Sequence, residues 1–164
     1  PSGAGRTKLW PERVIIVARS KEPCIYNCSS KADRDLLLSI PGIAEASAAW
    51  ILAELADVAK FDTAQEAAAY AGLAPREYRW GTSVRKRTHL SKRGNARLRA
   101  ALYFPAMVAC RFNALVRALY LRLLERELCR KAALGAAMRK LLMIAFGVLK
   151  SRKEFCVSAA QAAA

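Results

Sequence analysis

The sequence predicts an all-α or nearly all-α fold, a helix-hairpin-helix plus a helical bundle, with an irregular basic loop within it. Three observations predict it. Alanine and leucine dominate, while strand-favouring runs of Val, Ile and Thr are few, a balance that suits helix. Apolar residues recur at three- and four-residue intervals along most of the chain after Asp33. Helix-starting and helix-stopping residues stand at the ends of those periodic segments.

Positions 1–32 carry Gly, Pro, Ser and scattered charges, with one short apolar run, Val14 to Ala18, and read as a poorly ordered lead-in. From Asp33 the pattern turns helical. Leu36, Leu37 and Ile40 mark a short amphipathic segment that Pro41-Gly42 ends. Glu45 to Leu55 follows, with Ala48, Ile51, Leu52 and Leu55 at helical spacing. Thr63 and Glu66 form a capping box that opens Ala64 to Ala71, and Gly72 closes that helix. Pro75 to Gly94 is the irregular, basic stretch. A helix then runs from Asn95 to Arg111, kinked by Pro105, which lacks a backbone donor. Asn113 caps the next helix, with Leu115, Leu119 and Leu123 on one side and Arg117 on another. Lys131 to Lys150 places Leu134, Met138, Leu141, Ala145 and Val148 along one stripe. Phe146, Tyr103 and Phe104 lie on helical faces and read as core, while the tail from Phe155 on reads as frayed. The chain thus divides into a lead-in (1–32), a helical domain (33–155) and a tail (156–164).

With 164 residues and 54% hydrophobic content the chain is long enough for one cored domain. Its formal charge of +15 favours a polyanionic partner and produces self-repulsion without one. No uninterrupted apolar run approaches the ~20 residues that span a bilayer; the longest, Leu141 to Leu149, contains Gly147. Five cysteines, Cys24, Cys28, Cys110, Cys129 and Cys156, follow no framework spacing, which suits reduced thiols in a cytoplasmic protein. Cys24 and Cys28 resemble half a zinc site. No second Cys/His pair follows and His89 is the only histidine, so no metal is expected here. The chain begins at Pro1, as a fragment of a longer reading frame would.

Two stretches point to nucleic acid. Ile40-Pro41-Gly42-Ile43-Ala44 joins two helices, as in a helix-hairpin-helix, where backbone N–H groups of a tight turn meet a phosphate oxygen and glycine permits the close approach. Gly42 and Ile43 are the candidates there. An ordinary hairpin packed in a core has the same pattern. The second stretch holds Arg76, Arg79, Arg85, Lys86, Arg87, Lys92, Arg93, Arg97 and Arg99 against the single acid Glu77. From Thr82 to Leu90 the alternation puts Arg85, Arg87 and His89 on one face of an extended strand, ~7 Å apart. Ser91-Lys92-Arg93-Gly94-Asn95 then forms a turn with two cations before an uncapped helix start, an expected anion site. The bland alternative is a solvated basic loop. Trp80 and Tyr78 stand among the cations, to stack on bases or to plug the edge of the core.

Five ordered blocks carry a resemblance. They are Leu38-Ser39-Ile40-Pro41-Gly42-Ile43, Tyr70-Ala71-Gly72-Leu73-Ala74-Pro75-Arg76, Leu90 to Arg99, Leu102-Tyr103-Phe104-Pro105-Ala106 and Met138-Arg139-Lys140-Leu141-Leu142. Together they resemble the C-terminal transposase domain of the insertion-sequence one-ten family, relatives of the Piv invertase, over about Asp33 to Phe155. The resemblance implies a recombinase that moves a mobile element, working on DNA as a homo-oligomer guided by a bridge RNA. It implies a composite active site, in which a RuvC-like N-terminal domain holds magnesium with four carboxylates and the C-terminal domain supplies a serine nucleophile.

Two departures follow. Nothing before Asp33 resembles the RuvC-like domain, so no cofactor is expected in this chain itself. The family serine usually precedes a glycine that matches Gly81, and that position holds Trp80, whose indole cannot attack phosphorus. Ser83 and Ser91 are the nearby substitutes. Ala44 also replaces a usual glycine of the hairpin, and Glu127 stands where a helix-ending glycine is common. The expectation is therefore a DNA-binding transposase portion without its catalytic serine. The alternative is a non-catalytic nucleic-acid-binding module derived from one. A membrane-surface protein is disfavoured, because the cations cluster in a glycine-bearing loop rather than along one helical face.

Overall fold

The computed structural model describes residues 28–55, 60–80 and 84–156. Helix α1 spans Cys28–Leu38 and α2 spans Glu45–Leu55. Helix α1 begins five residues ahead of Asp33, in a stretch free of Gly and Pro that lets the helix extend upstream. Between the two helices, Ile40-Pro41-Gly42-Ile43 has the pattern of a type II turn. Proline is second, Gly42 is third with φ +110°, and the Ile43 N–H donates to the Ile40 carbonyl at 3.1 Å. Leu37, Ile40, Ile43, Ala48, Ile51 and Leu55 from this hairpin are buried.

Helix α3, Ala64–Tyr70, starts as its sequence predicts: the Thr63 hydroxyl accepts from the Glu66 N–H at 3.2 Å. Glu66 closes the box one residue further out, on the Asp62 N–H at 3.0 Å. At the other end Gly72 takes φ +70°. Its N–H reaches Ala69 and the N–H of buried Leu73 reaches Ala68, both at 2.9 Å. This is the paired-bond ending that a left-handed glycine permits.

The stretch expected to be irregular is in fact a β-hairpin. Strand β1, Pro75–Trp80, pairs antiparallel with β2, Val84–Leu90. The extended β2 was legible in its alternation; its partner β1 was not. A bulge between Arg76 and Tyr78 interrupts the register: Arg79 faces Arg85, but Arg76 faces His89. One extra residue on β2 shifts the two-residue parity of the backbone pairing at that point.

Helix α4, Ala96–Ala101, and helix α5, Tyr103–Phe112, replace the single kinked helix. The break at Leu102 lies three residues ahead of Pro105. Proline has no N–H to donate to the carbonyl four residues back, on Ala101, and its ring crowds that carbonyl. Buried Asn113 caps α6, Ala114–Glu125, accepting from the N–H groups of Leu115 and Val116.

The centre of the domain is α7, Arg130–Ser151, which packs on α1, α3, α5 and α6. Met138, Leu141, Ala145 and Val148 are buried as their stripe predicts, with Leu134 packed at its edge. Leu142, Phe146 and Leu149 widen that face. By length and composition alone this helix could cross a membrane, but more than half of its most apolar window is buried inside the domain.

Two aromatic residues expected in the core are not there. Phe146 is buried, whereas Tyr103 and Phe104 are 45% and 68% exposed. On α5 the small side chains Ala106 and Ala109 face inward, and the large ones face out. The chain end also differs. Phe155 packs on the core, with its N–H on the Ser39 hydroxyl at 3.0 Å, and Arg152 pairs with Asp33. Positions 1–27 and 157–164, with the expectations of disorder there, lie outside the described residues.

Candidate nucleic-acid interface

The basic turn is built by two segments held back to back. Asn95 donates its N–H to the Tyr70 carbonyl at 2.7 Å, and Lys92 donates its own to the Gly72 carbonyl at 3.1 Å. Ser91, half-buried, donates its N–H to the Ala74 carbonyl at 2.9 Å. The approach needs two glycines. A Cβ on Gly94 (φ +141°) would lie 2.2 Å from the Tyr70 oxygen, and one on Gly72 would lie 2.7 Å from the Arg99 guanidinium. Arg99 in turn donates to the Ala71 carbonyl at 3.0 Å. Lys92 adopts φ 52°, a conformation unusual for a lysine. Held in this way, Lys92 and Arg93 stand exposed at the tip of the turn, with His89 and Arg97 exposed beside them.

The helix start next to this turn is not open, which corrects the sequence expectation. The Asn95 side-chain oxygen accepts from the N–H groups of Arg97 and Leu98, at 3.0 and 3.2 Å. Its amide nitrogen donates to Glu54 at 2.8 Å and to the Tyr70 hydroxyl at 3.3 Å. Asparagine is a strong N-cap, and here it occupies the donors that an anion would otherwise meet. The binding capacity of this turn is therefore in its side-chain cations. Glu54 and Tyr70 were not foreseen, because their partner is distant in sequence and nothing local marks the contact.

The Pro41-Gly42 turn lies elsewhere. Asn95 bonds to Glu54 near the end of α2, whereas Ile43 precedes the start of that helix. At ~1.5 Å per residue the two ends are roughly 15 Å apart. A Cβ on Gly42 would lie 2.7 Å from the Ala109 Cβ and 2.8 Å from its backbone, so the missing side chain seats the hairpin on α5. Buried Ile43 is part of the core, and Asn113 reaches the Pro41 carbonyl at 3.5 Å. Glu45, in the first turn of α2, pairs with Arg34 at 3.1 Å and puts a carboxylate, not a cation, at the start of that helix.

Arg85, Lys86 and Arg87 lie on β2, and Trp80 ends β1 opposite Val84. Ser83 lies outside the described residues. Among the described residues no three His, Cys, Asp or Glu side chains come together.

The profile of a transposase family, described as IS116/IS110/IS902, matches residues 34–121, more than half of the chain. The chain belongs to the IS116/IS110/IS902 transposase family. The matched span runs from α1 into α6 and includes both the Pro41-Gly42 turn and the basic hairpin. Among relatives, the pilin gene-inverting protein of Moraxella bovis is 32% identical over 135 residues, 80% of this chain and 42% of that protein. Its counterpart in Moraxella lacunata is 32% identical over the same shares. An IS110 insertion-element protein of Streptomyces coelicolor is 31% identical over 115 residues, 70% of this chain and 28% of that protein. The chain thus spans less than half the length of these relatives.

Proposed function

We propose that this chain is the DNA-binding C-terminal domain of an insertion-sequence transposase, acting in DNA transposition or inversion in the cytoplasm. The observation that carries this reading is the clamp of Gly94 and Asn95 on Tyr70. It presents Lys92 and Arg93 outward on a fixed backbone at the end of a cation-rich hairpin. A backbone already held adds little ordering cost when the side chains it carries meet phosphate. The names of the Moraxella relatives, which invert a pilin gene, support DNA as the partner. The Pro41-Gly42 turn is assigned to packing, because Ala109 accounts for its glycine and Glu45 opposes an anion.

Trp80 in the family serine's place makes the chain non-catalytic by itself, with the chemistry and its magnesium belonging to a RuvC-like domain of the full-length enzyme. A bridge RNA and further copies of that enzyme complete the assembly. The second reading, a non-catalytic module derived from a transposase, rests on the same Trp80.

Binding of the purified chain to duplex DNA, followed across salt concentrations, tests the interface. Each phosphate neutralised contributes about 0.9 to the slope of log K against log salt, so Lys92→Ala with Arg93→Ala should lower it by roughly 2. An unchanged slope removes the basic turn from the interface. With magnesium the chain should neither cut nor join DNA; a covalent protein–DNA adduct would overturn the non-catalytic assignment and name the nucleophile.

A further inference from the structure

A groove lies between α5, α6 and α7, on residues the basic turn does not use. It has a volume of about 330 Å³, at the small end of the ~300–1,000 Å³ usual for ligand pockets. Tyr103 and Arg111 line it from α5, Tyr120 from α6, and Arg130 and Lys131 from α7, over an apolar floor that includes Leu134. No acidic residue lines it, and among the described residues no carboxylate pairs with its three cations. Arg111, Arg130 and Lys131 are exposed, as is Tyr103, while Tyr120 is half-buried. Tyr103 also walls a second groove of about 580 Å³ that reaches Arg99 and Met138. Leu90, the last residue of β2, abuts Gly135 of α7, where a Cβ would lie 2.6 Å from its side chain. The two grooves thus share Tyr103 as a wall, and α7, which contributes to both, meets the foot of the basic hairpin at Gly135.

Two tyrosines beside three unpaired cations suit a ligand that is planar and apolar in one part and anionic in another. Duplex DNA hides its base faces, and an anionic lipid has no planar part. We infer that this groove takes an unpaired stretch of nucleic acid, stacking a base on Tyr103 or Tyr120 while Arg111, Arg130 and Lys131 hold the adjoining phosphates. The assignment is independent of the basic turn, and either can fail without the other.

The test uses the 164-residue chain with dye-labelled oligothymidylate, oligouridylate and a duplex of equal length, read by fluorescence anisotropy. Loss of one base stack by alanine substitution weakens single-strand binding roughly 5- to 160-fold. Tyr103→Ala and Tyr120→Ala should therefore weaken it by that order, with duplex affinity held and Tyr→Phe at either position close to wild type. Changing Arg111, Arg130 and Lys131 together to Gln should lower the single-strand salt slope by about 2, at ~0.7 per phosphate. Preference for oligouridylate over oligothymidylate would assign the groove to RNA, and the reverse to a displaced DNA strand. Both leave the inference standing.

A footprint on the unaltered chain guards against misfolded variants. Cys110 lines the same groove, so either oligonucleotide should protect it from maleimide while exposed Cys156 reacts as before. Unprotected Cys110, or single-strand affinity indifferent to both alanine variants, would overturn the inference. So would self-association that Tyr103→Ala abolishes while oligonucleotide binding persists, because the groove would then be a contact between copies.

Discussion

Gly94 and Tyr70 meet so closely that a methyl group on the glycine would lie 2.2 Å from the tyrosine's carbonyl oxygen. That oxygen also accepts the Asn95 N–H at 2.7 Å, so it cannot move aside without breaking a bond. The backbone at Gly94, φ +141°, is in addition one that side-chain-bearing residues rarely adopt. Gly94→Ala should destabilise the domain by on the order of 3 kcal/mol, measured as a fall in the urea midpoint at constant slope. A loss under about 0.5 kcal/mol, the range of ordinary surface changes, would mean the two segments are not locked as described.

Gly42 faces Ala109 in the same manner, and the pair can be tested as a cycle. Gly42→Ala should be strongly destabilising, and Ala109→Gly in that background should recover part of the loss. A coupling of about 0.5–3 kcal/mol is expected for residues in contact. The remainder is backbone strain at φ +110° and the 2.8 Å approach to the Ala109 backbone, neither of which removing the Ala109 methyl relieves. Additive effects would place the hairpin away from α5. Below its melting temperature the Gly42→Ala chain should hold duplex DNA as the parent does, since the turn is assigned to packing.

How far the fold could be read from the sequence follows from the range of each interaction. Thr63, Gly72 and Asn113 cap or close helices through bonds to neighbours a few residues away, and their roles were legible. So was the apolar stripe of α7, which repeats within a single helix. What Gly42, Gly94 and Asn95 face was not legible, because Ala109, Tyr70 and Glu54 are remote in the chain. Tyr103 and Phe104 misled through size. Helix α5 approaches the Gly42 turn so closely that only alanine fits between them, which turns its large residues outward.

That inversion is measurable. Phe146 is 2% exposed and contacts Phe61 edge-on, with ring centroids 6.5 Å apart, whereas Phe112 is 72% exposed. Phe146→Ala should destabilise the domain by about 3–5 kcal/mol, and Phe112→Ser should change stability by no more than about 0.5 kcal/mol. Equal losses at the two positions would refute the packing described for α5.

Burial pushes the Cys110 thiol above its usual range. The thiolate is the reactive form, so Cys110 should alkylate more slowly in the folded chain than in urea at the same mildly alkaline pH. The gap should narrow as pH rises past the folded value. A raised value favours the protonated thiol in the folded state. Its contribution to stability is thus present below the unfolded thiol's pKa and fades as pH rises through the folded one. Faster labelling in the folded chain would contradict this environment.

The pairing of Arg152 with Asp33, and of Phe155 with Ser39, makes the polypeptide enter and leave the domain at one doorstep. A unit threaded in this way can be spliced into a longer chain, or lifted out of one, without prising its helices apart. Anything fused upstream of α1 or downstream of Phe155 would hang from the same corner, so two modules appended on short tethers would be neighbours.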